Sequence, residues 1–142
     1  MMKVIKGNIL DTECKYIMHG CNCFHTMGGG VAAAISDKYP YALEADILLT
    51  NKGDPGKLGD FSVGYPVNGD PRVINLYTQF KTGADFIPSI FPSAIREVNN
   101  CYKGEEIAIP LIGCGIGGGS WEYVQKVLLD SGPDIDWRVY VL

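Results

Sequence analysis

The sequence predicts a three-layer α/β domain built around a mainly parallel central sheet. Strand-like and helix-like segments alternate along the 142 residues, 46% of which are hydrophobic, and this suits one domain, residues 1–142, with its own core. Two glycine-rich segments, residues 18–31 and residues 109–121, each begin as an apolar strand-like run and lead into a helix-like run. Ligands of open parallel sheets bind outside the carboxyl ends of the strands, so both segments are expected at the ligand-binding edge.

The first half of the chain predicts two strands and two helices before a central loop. Residues 2–5 alternate as a half-buried strand does, and a Gly-Asn turn ends them. Residues 15–19 form a short strand that ends at His19 and leads into the first glycine-rich segment. Residues 31–39 and 41–49 are predicted helices, and residues 51–60, which hold three glycines and a proline, are a predicted loop.

The second half predicts the remaining elements. Residues 72–79 are a nearly continuous apolar run, typical of a strand covered on both faces, and residues 61–65 are also strand-like. Apolar residues recur at helical spacing from Phe91 to Tyr102, with a proline at a first-turn position. The other predicted elements are a buried strand at residues 106–111, a helix that begins after Ser120 as its N-cap, and a final strand at residues 137–142.

Composition restricts the expected partners. The net charge is −4 and Lys and Arg do not cluster, so a nucleic-acid surface is not expected. Apolar runs stay short of the ~20 residues that span a membrane, and the N-terminus has no apolar signal region. The five cysteines follow no disulfide framework and indicate a reducing compartment. We therefore expect a cytoplasmic, monomeric protein whose partner is a small molecule.

The two glycine-rich segments predict a site for phosphate groups. Glycine lacks a Cβ, so backbone N–H groups can surround an anion, and the N-terminus of a following helix adds a favourable partial charge. Gly28, Gly29 and Gly30 precede one predicted helix, and a second glycine run precedes the helix after Ser120. Two such segments at one edge predict a cleft for a diphosphate.

A dinucleotide-binding motif is one alternative for the second segment. Gly113, Gly115 and Gly118 have the required spacing between a strand and a helix. A Rossmann unit also needs an acidic residue at the end of a second strand, whereas Asp134 and Asp136 stand at the start of the final strand. We therefore expect no nicotinamide cofactor.

Cysteine phosphatase chemistry is a second alternative. It needs a thiolate in an electropositive loop that an arginine closes. No arginine stands six positions after Cys21, Cys23 or Cys114. These cysteines are expected to be small apolar residues packed beside glycine.

Zinc binding is a third alternative. His19, Cys21, Cys23 and His25 alternate along the chain and would share one face of an extended strand. Structural zinc ligands usually come in more widely spaced pairs, and the neighbouring glycines predict a turn that breaks the alternation. No metal site is therefore expected.

His19 has two competing interpretations. A lone histidine at a strand end is commonly a structural residue bonded to backbone, but at the mouth of a phosphate cleft it could donate a proton to a leaving group or orient water. His25 and Lys81 are weaker candidates and are expected in solvated loops. Asn22 suits either a ligand contact, since its amide both donates and accepts, or a turn that satisfies local backbone.

Three ordered motifs resemble the macro domain family, whose members bind ADP-ribose. The motifs are residues 7–9, residues 19–22 together with residues 28–31, and residues 110–118, and they span essentially the whole chain. The chain is most similar to the small yeast-type ADP-ribose 1''-phosphate phosphatases, which share a His-x-Cys-Asn segment before a triple glycine. The resemblance implies a three-layer α/β/α fold with a mixed, mainly parallel central sheet.

The resemblance also implies roles for the matching residues. Asn8 and Ile9 would lie beside the adenine, although many relatives have an aspartate in place of Asn8. His19 matches a histidine proposed as catalytic in the yeast-type phosphatases. The distal ribose and its terminal phosphate would contact Cys21, Asn22, Gly28, Gly29, Gly30 and Val31, and the diphosphate would contact Ile112, Gly113, Cys114, Gly115, Ile116, Gly117 and Gly118.

Gly117 departs from two patterns within the family. Relatives that remove ADP-ribose from protein carboxylates have an aspartate there, and many other macro domains have an aromatic residue that packs on the distal ribose. We therefore expect hydrolysis of the terminal phosphate of ADP-ribose 1''-phosphate, with His19 assisting proton transfer and with no metal or cofactor. The alternatives are a non-catalytic ADP-ribose-binding module and a hydrolase that removes ADP-ribose from modified macromolecules.

Overall fold

A computed structural model describes residues 2–83, 85–114 and 119–142 of the chain. These residues form a single six-stranded sheet with helices packed on both of its faces. The strands are β1 (Met2–Lys6), β2 (Tyr16–Cys21), β3 (Phe61–Gly64), β4 (Arg72–Tyr77), β5 (Glu106–Ile109) and β6 (Asp136–Val141). The helices are α1 (Gly30–Lys38), α2 (Tyr41–Leu49), α3 (Phe91–Cys101) and α4 (Trp121–Ser131).

The sheet is mixed and mainly parallel, as the sequence predicts. Its strand order is β1-β6-β5-β2-β4-β3, and every neighbouring pair is parallel except β3 with β4 at one edge. Because β2 and β5 are adjacent and parallel, the two glycine-rich segments leave the sheet side by side at the same edge. The topology therefore brings together two segments that are about ninety residues apart in the sequence.

Side-chain alternation along the strands divides the core into two layers. Met18, Ile74 and Trp137 are fully buried against α3 and α4 on one face of the sheet. Ile17 and Val73, from alternate positions of the same two central strands, are buried against α1 and α2 on the other face. Successive side chains of a strand point to opposite faces, and helices cover both faces here. The sequences of the central strands are therefore nearly continuous apolar runs.

The predicted element boundaries are correct to within about two residues, and one difference matters for function. The sequence ends the second strand at His19, whereas β2 continues to Cys21 because residues 19–21 pair with residues 75–77 of β4. His19 therefore lies inside the strand rather than at its end. Ser120 occupies the N-cap position of α4 with extended backbone, but its side chain makes no capping hydrogen bond within the described residues.

In the described ranges, no helix has the length and apolar character needed to cross a membrane.

Candidate functional site

The first glycine-rich segment presents an open surface at the N-terminus of α1. Residues 28–31 are exposed, and Gly29 is the N-cap of the helix. A Cβ added at Gly28 or Gly29 would meet no atom of the described residues within 4 Å, and neither residue has a positive φ. Neither packing nor backbone strain thus requires glycine at these two positions. The space in front of the helix N-terminus can accept an anion.

The second glycine-rich segment is closed at its base by an aromatic ring. Gly113 has a φ of 74°, and a Cβ there would lie 2.6 Å from the ring of Phe86. A Cβ at Gly119 would lie 2.7 Å from the same ring, and the Gly119 N–H donates to the Gly113 carbonyl. These two glycines let the chain pass close to Phe86. Four of the predicted diphosphate contacts lie outside the described residues: Gly115, Ile116, Gly117 and Gly118.

The described start of the second segment is mostly buried. Ile112 is 2% exposed and packs in the larger core layer. Cys114 is partly buried, and its Sγ donates to the Ile112 carbonyl at 3.3 Å. Their backbone N–H groups are also engaged, since Ile112 N donates to the Pro110 carbonyl at 2.8 Å and Cys114 N donates to the Leu111 carbonyl at 3.1 Å.

The strand order places the predicted adenine contacts along the same edge. Asn8 follows β1, which is three strand positions from β2, so at ~4.8 Å per position the two strands are about 14 Å apart. Asn8 is exposed, and its Oδ1 accepts from Leu10 N at 3.0 Å. Ile9 is 7% exposed and packs in the smaller core layer. An extended ligand along this edge could reach the Asn8 side chain but only the backbone of Ile9.

The side chains of Cys21 and Asn22 are engaged within the protein. The Asn22 amide donates to the carbonyl and hydroxyl of Thr26 at 3.0 and 2.8 Å and accepts from Phe24 N at 2.8 Å. Cys21 is 4% exposed and packs against Met27 and Tyr77. Asn22 thus stabilises the turn, which is one of the two interpretations made from the sequence.

His19 lies within β2, two residues before Cys21, and is 1% exposed. Its Nε2 is 2.7 Å from Asn75 Oδ1 and 3.5 Å from Cys21 Sγ. Its Nδ1 is buried and has no hydrogen-bond partner among the described residues. Burial lowers the pKa of the imidazole, although the hydrogen bond to Asn75 opposes this, so His19 is neutral near pH 7.

The five cysteines all lie in the described residues and are free thiols. Burial raises the pKa of Cys14, Cys23 and Cys114, and raises that of Cys21 most strongly. A protonated thiol is a poor nucleophile. This agrees with the packing role that the sequence predicts for Cys21, Cys23 and Cys114.

His25 and Lys81 occupy different settings. His25 has a φ of 57°, and its Nε2 lies 3.0 Å from Thr50 Oγ1 and 3.9 Å from Asp46 Oδ1. The turn at His25 breaks the alternation on which a zinc site would depend, and the described residues contain no group of three or more His, Cys, Asp or Glu placed to hold a metal ion. Lys81 is exposed, and its backbone N–H donates to Asp85 at 2.8 Å.

Sequence reasoning missed a buried polar network beside this site. Asp46 is 1% exposed and accepts hydrogen bonds from Lys57 Nζ at 3.2 Å and from Tyr77 at 2.7 Å. The available signal was an acidic residue four positions after the buried Ala42, on the apolar stripe of α2. A charge on a buried helix face requires a partner, but the sequence does not identify Lys57 as that partner.

Comparison with known proteins agrees with this architecture. The family model described as "Macro domain" matches residues 18–128. An uncharacterized 17.5 kDa protein of Enterobacteria phage T4 is 43% identical over 136 residues, covering 90% of this chain and 88% of the phage protein. The ADP-ribose 1''-phosphate phosphatase of Saccharomyces cerevisiae is 25% identical, covering 97% of each chain. The macrodomain of Thermus aquaticus DarG superposes with a TM-score of 0.83 at 19% identity, covering 100% of this chain and 99% of that one.

Proposed function

The chain belongs to the macro domain family, and from that premise we propose that it binds ADP-ribose and hydrolyses the terminal phosphate of ADP-ribose 1''-phosphate. The products are ADP-ribose and inorganic phosphate. The observation that carries the proposal is the open space over Gly28 and Gly29 at the N-terminus of α1. A phosphate group in that space would meet backbone N–H groups and the positive end of a helix.

The proposed ligand extends along the carboxyl edge of the sheet. The adenine lies near Asn8 and the backbone of Ile9, and the diphosphate lies against the second segment at residues 112–118. The distal ribose and terminal phosphate lie over Gly28 to Val31, with Cys21 and Asn22 supporting that turn from below. The parallel pairing of β2 with β5 supports this arrangement because it sets both segments at one edge.

His19 is the residue proposed to assist proton transfer. Its neutral imidazole is chemically suited to accept a proton. The backbone N–H groups of the two segments would hold the reacting phosphoryl group and stabilise its charge.

A non-catalytic ADP-ribose-binding module is the second candidate. The observation that favours it is the burial of His19, which is 1% exposed, whereas Gly28 and Gly29 are exposed. Such a module needs the two glycine-rich segments but no group that transfers a proton.

The test combines binding with product release. ADP-ribose is titrated calorimetrically into the wild type, His19→Gln and, as a matched control on the other histidine, His25→Gln, and phosphate released from ADP-ribose 1''-phosphate is then measured. We expect all three proteins to bind ADP-ribose and only His19→Gln to lose phosphate release, by at least about 100-fold, a typical contribution of general acid–base catalysis. Urea unfolding of each variant verifies that it is folded.

Other results would change the assignment. Binding without phosphate release by the wild type would favour the binding module. Release of ADP-ribose from a modified protein or nucleic acid, without phosphate release, would instead favour the hydrolase that acts on macromolecules. Absence of ADP-ribose binding would overturn all three.

A further inference from the structure

A chain of buried hydrogen bonds leads from His19 to a buried ion pair. His19 Nε2 lies 2.7 Å from Asn75 Oδ1, and Asn75 Nδ2 lies 3.1 Å from Ser62 Oγ. Ser62 Oγ lies 2.7 Å from the hydroxyl of Tyr77, which lies 2.7 Å from Asp46 Oδ1. These residues are at most 4% exposed, so water does not compete for their hydrogen bonds.

The ion pair determines the direction of the first bonds in this chain. Asp46 Oδ1 is 3.2 Å from Lys57 Nζ, and an ionised carboxylate can only accept hydrogen bonds. Burial raises the pKa of Tyr77, so its phenol keeps its proton and donates it to Asp46. The lone pairs of the Tyr77 oxygen are then available to Ser62, whose hydroxyl donates to Tyr77 and accepts from Asn75.

The orientation of the Asn75 amide follows from two acceptors. Asn75 Nδ2 lies 2.9 Å from the Ala42 carbonyl as well as 3.1 Å from Ser62 Oγ. If the amide were flipped, its oxygen would face the Ala42 carbonyl oxygen, and two acceptors cannot form a hydrogen bond. Both N–H groups of the amide are therefore used on this side, and Oδ1 must face His19.

The tautomer of His19 follows from that orientation. Asn75 Oδ1 is an acceptor, so the imidazole nitrogen 2.7 Å away must carry the proton. A neutral imidazole has only one N–H, so the buried Nδ1 holds a bare lone pair. We propose that Asn75, whose Nδ2 donates to the Ala42 carbonyl and to the Ser62 hydroxyl, is a positioning residue that keeps His19 in the Nε2–H tautomer, with Nδ1 as its free proton acceptor.

The consequence for the reaction rests on the proposed function. In this tautomer His19 accepts a proton at Nδ1 and has none to donate from that atom. His19 is thus a base or a water-orienting group, and the alternative of a proton donor to the leaving group is disfavoured.

The experiment reads the tautomer directly. Nitrogen NMR of protein labelled with ¹⁵N in its histidines distinguishes a protonated from a bare ring nitrogen, and His19→Gln assigns the signals. We expect the wild type to carry its His19 proton on Nε2. In Asn75→Leu, which has no acceptor, we expect a mixture of tautomers, whereas Tyr77→Phe leaves Asn75 bonded to Ala42 and should retain the wild-type signal.

Measurements of kcat and of ADP-ribose affinity test whether the tautomer matters for the reaction. We expect Asn75→Leu to lower kcat for phosphate release at least about tenfold while changing ADP-ribose affinity less than twofold, because Asn75 is fully buried and does not contact the ligand. Tyr77→Phe, which also removes a buried hydrogen bond, is the control for general destabilisation and should keep more of its kcat than Asn75→Leu.

The outcomes separate this proposal from the proposed function. A wild-type signal with the proton on Nδ1 would overturn the tautomer assignment even if Asn75→Leu does not fold. An Nε2–H signal in a protein that releases no phosphate would support the assignment and count against the phosphatase. Unchanged kcat in a folded Asn75→Leu protein with mixed tautomers would remove the positioning role.

Discussion

Each of the two glycine-rich segments has a pair of glycines, Gly28 with Gly29 and Gly113 with Gly119, and the two pairs serve different purposes. In the first segment, a Cβ at Gly28 or Gly29 would meet no atom of the described chain within 4 Å. In the second, a Cβ at Gly113 or Gly119 would lie within 2.7 Å of the Phe86 ring. Gly28 and Gly29 therefore leave space for a ligand, whereas Gly113 and Gly119 satisfy the packing of the protein itself.

The contacts that hold the two segments in place also differ. The first segment is held by backbone hydrogen bonds, since Cys23 N donates to the Phe80 carbonyl at 3.0 Å and the Cys23 carbonyl accepts from Gly53 N at 2.6 Å. The second is held against an aromatic ring, and Phe86 is itself anchored by an edge-on contact with Phe91, with the ring centroids 5.5 Å apart. These hydrogen bonds involve Cys23, and residues 28–31 of the same segment remain exposed.

The largest expected effect is on the stability of the second segment. Gly113→Ala adds a left-handed backbone cost of about 1–2 kcal/mol to an overpacking cost of about 1–3 kcal/mol against Phe86. We therefore expect the free energy of unfolding in urea to fall by roughly 2–5 kcal/mol.

Gly104→Ala is the matched control for this loss. Gly104 has a φ of 85°, but a Cβ there would meet nothing within 4 Å in the described part of the chain, so only the backbone cost applies. Equal losses in Gly113→Ala and Gly104→Ala would mean that contact with Phe86 contributes nothing.

A smaller effect, on affinity rather than stability, is expected in the first segment. Gly28→Ala places a methyl group in the open space, so we expect ADP-ribose affinity to fall about tenfold, or 1.4 kcal/mol. The free energy of unfolding should stay within about 0.5 kcal/mol of the wild type. Calorimetric titration and urea unfolding measure the two quantities.

Gly69→Ala controls for the substitution itself. Gly69 also lacks a neighbour within 4 Å among the described atoms and has no positive φ. If Gly28→Ala and Gly69→Ala bind ADP-ribose equally well, the space over Gly28 does not belong to the ligand.

The smallest expected effect is a pH dependence of the free energy of unfolding that arises from the buried His19. Burial lowers the pKa of His19 in the folded state, so below the unfolded value of about 6.5 the unfolded chain binds a proton that the folded protein does not. Stability should therefore decrease as the pH falls from about 6.5 towards the lower folded pKa. Urea unfolding across this range should show a shallower decrease in His19→Gln, and identical slopes would contradict the burial of a neutral imidazole.

The sequence predicted the element order well because periodicity and turn residues are local signals. It placed α2 at residues 41–49 and the other helices and strands within about two residues of their positions. The strand that carries His19 was predicted too short, because its last three residues are held by pairing with β4, which is more than fifty residues away. The interpretation of His19 as a strand-end residue depended on that boundary and is wrong in this respect.

The contacts of the candidate site were less predictable. Asn22 carries an amide suited to a ligand, yet its hydrogen bonds to Phe24 and Thr26 could be foreseen only as one of two possibilities. Asp46 and Lys57 are eleven residues apart in sequence, and their pairing depends on how the loop before β3 folds against α2. Side-chain partners across elements depend on tertiary packing, which local patterns do not encode.

By itself, the sequence determined the alternation of strands and helices, the mainly parallel sheet and the two glycine-rich segments that lead into helices, since each follows from spacing along the chain. Only the tertiary structure decided that Gly28 and Gly29 face open space while Phe86 packs against Gly113 and Gly119, and that His19 is buried against Asn75. The physical reason is that exposure, the space around a glycine and the tautomer of a histidine depend on neighbouring atoms from distant parts of the chain.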